Sequence, residues 1–462
     1  MLSSHSIPIQ SEEERAVYNC DFLPNCVSDD MVRKAEGRLK KFAPYDEKLY
    51  VSRHPDVAAN ALKPTEHLIR YGCFEGRKET FSRARVADFL SKIQSPADDF
   101  SLVAPKVLSA DSASTSIRRL AEELPAVGIF AHSQGSRLLK EFAHELFAAF
   151  ENTGVKCSLL TEESPITECP AIPIFVAPHE FFIIGKGPDW IRDDILRRSI
   201  IFNVEQIQTE WFLRGMPFIL MAKGVIDLSF QSAFLLKQCG IPSMHLTLAS
   251  QPGESCLLPE DARHPFLLPL PPAAREPGDI FASLSERCID VSFFSTSSPR
   301  RESFLAENAP LFSQYQTFLY YRRDELRGAV QDTRAEQSLN RLSRHISRHS
   351  KIALNVHRDD NKYFEWHRIV RLAMDSNALV ISEPCLPHPL FRAGTHYIEE
   401  TSEGMGDRIR WVLETSEGMQ EAERIRSNAF TLLQTQFEMR NSSLQLVQFL
   451  AQLNAQKPDG GV

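Results

Sequence analysis

Two short stretches carry residue types that could do chemistry. In "VGIFAHSQGSRLL" (127–139), Ala131-His132-Ser133-Gln134-Gly135 is one substitution from G-x-S-x-G, the sharp strand-to-helix turn that presents a serine nucleophile. With Ser133 in that role the chain would be a serine hydrolase. The turn has a second reading, in which Ser133, Gln134, Gly135 and Ser136 open a helix whose free N–H groups point into a crevice. That reading is preferred, because the preceding run "AVGIF" is the first strand of its domain and no oxyanion loop lies upstream. In "HRDDN" (357–361) the carboxylates of Asp359 and Asp360 are adjacent. In an extended segment they project to opposite sides and chelate one ion poorly, so no metal is expected. The nine cysteines include no C-x-x-C pair and read as reduced, mostly buried thiols.

These residues depend on the elements around them. From residue 126 short apolar runs alternate with helical patterns: "AVGIF", "VKCSLL" (155–160), "IPIFVA" (172–177), "SIIFN" (199–203), "PFILMA" (217–222) and "SMHLTL" (243–248). Leu139, Phe142, Leu146 and Phe150 recur at helical spacing between the first two. A proline-rich stretch follows, and the alternation restarts with "IDVSFF" (289–294), "QTFLYY" (316–321), "KIALNV" (351–356), "NALVIS" (377–382) and "THYIE" (395–399). Strands alternating with helices predict parallel sheets covered on both faces. The fold class expected is therefore α/β, with two Rossmann-like parallel-sheet domains facing a cleft, a small N-terminal helical domain and C-terminal helices. The boundaries expected are a polar segment 1–35, a helical module 36–92, a linker 93–118 and a first Rossmann-like domain 119–270. A Pro-rich bridge 271–280, a second Rossmann-like domain 281–435 and a helix with tail 436–462 complete the chain.

Composition narrows the function classes. The 462 residues are 43% hydrophobic and 24% charged, as in a globular protein with room for cores. A net charge of −8 argues against nonspecific binding to nucleic acid. The most apolar stretch, "WFLRGMPFILMAKGVIDLSF", is broken by Arg214 and Lys223, so no transmembrane helix is expected. The N-terminus has no basic region followed by an apolar one, and a cytoplasmic location is expected.

The stretch "KIALNVHRDDNKYFEWHRIVRLAMDSNALVISEPCLPHPLFRAGTHYIEE" (351–400) resembles the donor-binding half of bacterial two-Rossmann (GT-B) nucleotide-sugar glycosyltransferases. "FVAPHEFF" (175–182), "FNVEQIQTEWF" (202–212), "VIDLS" (225–229) and "VSFFSTSSPRRESFL" (291–305) extend the resemblance over roughly residues 125–440. It implies transfer of a sugar from a nucleotide-diphosphate donor to a glycan or protein acceptor, with no cofactor and no metal. Arg300 and Arg301 would meet the diphosphate. Glu365 and Glu383 are candidates for the ribose diol, with Arg368 paired to Glu365 or lining the site. Asn355, His357 and Ser382 sit at strand ends on the same crevice. A catalytic base would come from the first domain, from His132, His179, Glu180 or Asp227, with Glu205 and Gln206 as further acceptor-side lining. The N-terminal module, with its "YVSRHPDV…TEHLIRYGCFEGR", would recruit a partner if it has a role beyond packing.

The chain also departs from the family pattern. Leu372 stands where many members have a glutamate, Asn377 stands where they have glycine, and "FFSTSS" lacks the phosphate-loop glycine. A catalytically degenerate GT-B-like binding or scaffold protein is the alternative that these departures support.

Overall fold

The computed structural model describes residues 23, 27–77, 80, 81, 83–93, 118–246, 248, 261–322, 333–437 and 439–455. The expected linker 93–118 therefore lies outside the described residues, apart from Ile93 and Arg118, as does most of the polar segment 1–35.

Three longer helices come first, α1 (Asp29–Leu39), α2 (Glu47–Arg53) and α3 (Arg83–Lys92). A six-stranded sheet follows, made of β1 (Val127–Phe130), β2 (Cys157–Leu160), β3 (Ile172–Val176), β4 (Ile200–Asn203), β5 (Gly224–Asp227) and β6 (Ser243–His245). Its principal helices are α4 (Arg137–Glu151), α5 (Glu210–Met221) and α6 (Phe230–Gln238). The second sheet holds β7 (Ile289–Thr296), β8 (Thr317–Arg322), β9 (Ser350–Asn355), β10 (Leu379–Ser382) and β11 (Ile398–Glu399). With it go α7 (Pro299–Phe312) and α8 (Thr333–His349), and α9 (Met405–Glu414), α10 (Ser416–Gln436) and α11 (Met439–Ala455) end the described chain. Every strand pairing is parallel. The chain is thus two Rossmann-like α/β domains, as expected.

The strand orders locate the places where ligands can bind. The first sheet runs β2-β1-β3-β4-β5-β6 and the second β11-β10-β9-β7-β8. In each, the chain reverses direction beside its first strand, leaving a crevice outside the carboxyl ends of β1 and β3, and of β7 and β9. His132, Ser133, His179 and Glu180 follow the first pair of strands. Arg300, Arg301 and His357 follow the second.

Alternation along the strands of the first sheet sorts its two cores. Phe130, Phe175, Ile201 and Val225 enter one apolar cluster, while Ile129, Ile174, Phe202 and Ile226 enter the other. The N-terminal helices cover the first face by packing on α5. The rings of Phe42 and Phe212 stack at 6.2 Å, Phe74 meets Phe218 at 6.1 Å, and Arg38 donates to the Leu220 and Ala222 carbonyls at 2.7 and 2.8 Å. The last contact places a cation on the open carbonyls at the helix C-terminus. Helix α11 returns from the second domain to the opposite face, where Leu446, Val447, Leu450 and Leu453 are buried.

Two expectations need correction. "PFILMA" is the second half of α5, and the strand follows it at Gly224–Asp227. Helix α5 is buried both toward the sheet and toward α1, so its run is apolar all round and periodicity cannot separate it from a strand. The N-terminal helices also start earlier than expected, since α1 begins at Asp29 within the expected polar segment, and they share one core with the first sheet. Their internal chemistry is packing: Gly72 admits the Tyr50 hydroxyl, which lies 2.3 Å from where a Cβ would stand, and Tyr50 bonds His67 Nδ1 at 3.1 Å.

A chain beginning near residue 119 is accordingly expected to aggregate or melt far below the full chain. Uncovering Phe212, Leu213 and Phe218 forfeits about 1.5–3 kcal/mol for each buried side chain, against a typical total of about 5–15 kcal/mol. Light scattering and thermal melting of the two chains measure the difference.

Candidate functional site

The two domains face one another across a cleft pocket of about 340 Å³. Ser136 and Arg137 line it from the first domain, and Thr296, Arg322, Arg368 and Leu372 from the second.

The second domain supplies a connected set of charges at its crevice. Ser298 caps α7 by accepting from the Arg301 N–H, which fixes Arg300 and Arg301 in the first helical turn. Arg301 is fully buried, and its Nε donates to the Val356 carbonyl at 2.9 Å and its Nη1 to the Thr296 carbonyl at 3.1 Å. Its Nη2 lies 3.5 Å from Glu365 Oε1, which is also 3.6 Å from His357 Nδ1, and the other Glu365 oxygen accepts from Arg368. Arg300 donates to Glu383 Oε1 at 2.5 Å, and the His357 N–H donates to Glu383 Oε2 at 2.7 Å. Ser382 Oγ accepts from Asn355 Nδ2 at 3.0 Å and donates to the Glu383 carbonyl at 2.8 Å. All eight residues expected on the donor side thus lie in or beside one network. Three guanidiniums meet two carboxylates in it, leaving positive charge in excess.

Both glutamates are committed to arginines, which makes them holders of guanidiniums rather than open acceptors for a diol. Several other polar atoms have unused hydrogen-bonding capacity. Arg300 Nε, Arg301 Nη2, His357 Nδ1, Asn355 Oδ1 and Ser295 Oγ are buried without a hydrogen-bond partner among the described residues. Buried polar groups are normally satisfied, so such a concentration at one strand edge marks a place for a polar ligand or for water. Burial, followed by the like charge of Arg358, lowers the Arg301 guanidinium to about 10. Arg368 is pushed well down by burial and then by Arg301 and Arg358. Crowded cations of this kind gain from a bound anion.

The departures at 372 and 377 have different consequences. Asn377 is left-handed, with φ of 53°, a conformation asparagine adopts more readily than most residues, so the glycine-like geometry is kept. Leu372 puts an apolar side chain on the cleft wall, and a carboxylate is missing there.

On the first domain the elbow turn is filled by the protein's own carboxylates. Ser133 N–H donates to Glu162 Oε2 at 2.7 Å and its hydroxyl donates to the other Glu162 oxygen. Ser136 N–H donates to Glu180 Oε2 at 2.8 Å, and a Cβ at Gly135 would stand 2.6 Å from that oxygen. The N–H groups of Ser133 and Ser136 are thus satisfied by the protein's own carboxylates. His132 donates from Nε2 to the Ile184 carbonyl at 2.9 Å and accepts the Gln134 N–H on Nδ1 at 3.1 Å. Both His132 nitrogens are thus engaged, and burial lowers its pKa. Ser133→Ala is expected to leave fluorophosphonate labelling unchanged at background, because no histidine stands ready to activate the hydroxyl. Labelling lost with the variant, read by gel fluorescence, would restore the hydrolase reading.

The remaining candidates sit deeper along the first sheet. Ala177, with φ of 53°, turns the chain sharply after β3 and aims His179 inward. A left-handed alanine costs of order 1–3 kcal/mol, the kind of strain that clusters at functional sites. His179 is buried, its pKa lowered to about 3 by burial and by Arg214. Its Nε2 lies 3.6 Å from Glu205 Oε1. Burial raises the Glu205 carboxyl to about 7, opposed by the Thr209 hydroxyl and by Arg358 of the second domain. A quarter of the Glu205 side chain (24%) is still open to solvent. Asp227 is raised by burial to about 8, and its oxygens accept from Asn203 Nδ2 at 2.8 Å and from the Ser229 N–H at 2.7 Å. Asn203 also donates to the Glu205 carbonyl at 2.9 Å, so Asp227 and Asn203 brace the segment that carries Glu205. Gln206 accepts from Gln208 at 2.7 Å and supports the same loop.

Sequence reasoning missed Glu162, Asn203 and Arg358. Asn203 ends a strand, and Glu162 and Arg358 follow one by two or three residues, so the strand-end rule that selected the others also reaches them. Asp359 accepts from the Asn361 backbone and side chain at 2.9 and 3.0 Å. Among the described residues no group of three or more His, Cys, Asp or Glu side chains is placed to hold a metal ion, and no helix is long and apolar enough to cross a membrane.

No family model matches the chain, and no curated protein matches its sequence. Among solved structures it is similar to HepE of Anabaena in complex with UDP-glucose, at 12% identity over 71% of this chain and 100% of that one, with a TM-score of 0.47. It is similar to a glycosyltransferase from Rickettsia africae, at 10% identity over 72% and 100% of the chains, with a TM-score of 0.43. An α1,3-fucosyltransferase with GDP follows at 11% identity over 80% and 98%, with a TM-score of 0.40. A likeness this low carries no argument about the site, and the two-domain α/β architecture stands on the chain's own two sheets.

Proposed function

We propose that the protein is a glycosyltransferase that moves a sugar from a nucleoside-diphosphate donor to a glycan or protein acceptor without a metal. The observation that carries this reading is the guanidinium cluster of Arg300, Arg301 and Arg368 at the switch point of the second sheet, where Arg300 Nε and Arg301 Nη2 are buried without a hydrogen-bond partner among the described residues. As the bond from the anomeric carbon to the diphosphate oxygen breaks, negative charge grows on the leaving phosphate. Cations already fixed by Glu365 and Glu383 stabilise that charge with little reorganisation. The acceptor hydroxyl gives its proton to Glu205, which lies on the facing domain within the field of Arg358. Its raised pKa makes it a stronger base than an ordinary carboxylate. Leu372 favours a second reading, a protein that holds the donor without turning it over.

Calorimetry with a panel of nucleoside diphosphates in excess EDTA tests the donor site. Binding is expected to persist in EDTA and to weaken roughly ten- to a hundredfold in Arg300→Gln, where one charged hydrogen-bonding group is lost. Glutamine can still donate to Glu383, which protects the fold. Wild-type affinity in that variant, or binding that requires added Mg²⁺ or Mn²⁺, counts against the assignment. Transfer or donor hydrolysis by the wild type separates the enzyme from the binder.

A further inference from the structure

A second cavity, of about 420 Å³, lies between the domains, enclosed by α4, α8 and the helical segment His367–Ala373. It shares Arg137, Glu141 and Asn340 with the cleft pocket, so the two adjoin along α4. Four arginines line it: Arg137, Arg341, Arg344 and Arg371.

Three of these have a carboxylate partner. Arg137 Nε donates to Glu141 at 2.9 Å, Arg371 donates to Glu145, and Arg341 is bidentate on Asp261 at 2.5 and 3.0 Å. Arg344 is half-buried and makes no side-chain hydrogen bond or ion pair among the described residues. Glu141, Glu145 and Asp375 act on it only through space, and burial and Arg371 both disfavour its charge. Arg137 Nη1 is buried with no partner as well. A guanidinium with no direct partner among the described residues and a spare N–H donor therefore line one cavity of ligand size. A buried donor left unsatisfied, such as Arg137 Nη1, is costly, whereas an anion accepting from both guanidiniums would make charge-assisted bonds.

We propose that this cavity is a binding site for a phosphate- or carboxylate-bearing ligand, held by Arg344 and Arg137 and bridging the two domains. Arg137 stands on the first domain and Arg344 on the second, so the anion ties α4 to α8. Two sources have this chemistry: a free anion, or the anionic group of an acceptor whose chain runs from the cleft along α4. The site stands without the sugar-transfer reading, and only the acceptor assignment rests on it.

The test titrates inorganic phosphate and, separately, glucose 6-phosphate into the full-length protein by calorimetry, with Arg344→Gln, Arg344→Lys and Arg300→Gln alongside. Arg344→Gln is expected to weaken the anion at least tenfold with an unchanged melting temperature, since the side chain holds no internal bond. Arg344→Lys, which keeps the charge, should recover part of the affinity, and Arg300→Gln should leave this site intact. Glucose 6-phosphate binding tenfold or more tighter than phosphate assigns the anion to a glycan acceptor, and equal affinities assign it to a free anion. If neither probe binds in a way that depends on Arg344, the proposal is overturned. Donor binding lost in Arg300→Gln alone leaves it untouched, so the two sites fail separately.

Discussion

Replacing Glu205 with glutamine is expected to lower sugar transfer by about 10²–10⁴-fold, the usual contribution of a positioned general base, while nucleoside diphosphate still binds. Among the candidates on the first domain, Glu205 combines a partly exposed carboxylate with the electrostatic influence of Arg358 from the second domain. His132 has both ring nitrogens engaged, Glu180 accepts at the start of α4, and Asp227 is closed in behind Asn203. Burial raises the Glu205 carboxyl to about 7, so it is protonated and inactive well below that pH. The rate should therefore climb as pH rises through about 7, and this limb should vanish in Glu205→Gln. His179 adds no positive charge in this range, because burial holds it neutral. A rate profile of Glu205→Gln that matches the wild type would remove Glu205 from the chemistry. Asp227→Asn should act through position, reducing the rate less and leaving the limb in place.

Arg301→Ala is expected to destabilise the fold by about 3–5 kcal/mol, the scale for breaking a buried charged network. Reading Arg301 as a diphosphate contact at a helix start predicts a loss of donor affinity alone. The structure adds a second role, since the guanidinium is fully buried and ties the end of β7, at Thr296, to Val356 just beyond β9. Removing it leaves those carbonyls without their donor and Glu365 with one cation fewer. Urea melts should show a lower midpoint, and binding of a nucleoside diphosphate should be lost with it. Arg300→Gln should lose affinity with little change in the midpoint, because Arg300 is a third exposed (32%) and its substitute can still reach Glu383. Equal midpoints for Arg301→Ala and wild type would show that the buried contacts are energetically idle.

Much of this architecture is legible from local pattern. Short apolar runs alternating with helices are enough for parallel sheets, because a strand covered on both faces has no polar side to alternate with. The strand-end rule is local too: it nominates Arg300, Asn355, His357 and Glu383 from their place after a strand, and in the folded chain they lie along one edge. The sequence also separates Gly from Asn at 377 but not their shared backbone geometry, which appears only as the left-handed φ.

What the tertiary structure decided is partnership. "PFILMA" is a helix because α1 covers the face that would otherwise meet water, and nothing within the run records that cover. Glu162 and Glu180 fill the elbow turn from 29 and 44 residues away. Glu365 and Glu383 are engaged by arginines distant in sequence or on a neighbouring turn. Arg344 makes no hydrogen bond or ion pair among the described residues although the chain is acidic overall. Hydrophobic pattern is carried by residues a few positions apart and survives in one dimension. Whether a charge is spent or available depends on what lies within about 4 Å of it, and at that range Coulomb energies change severalfold with burial. Those neighbours are set only when the two sheets and their covering helices close on one another.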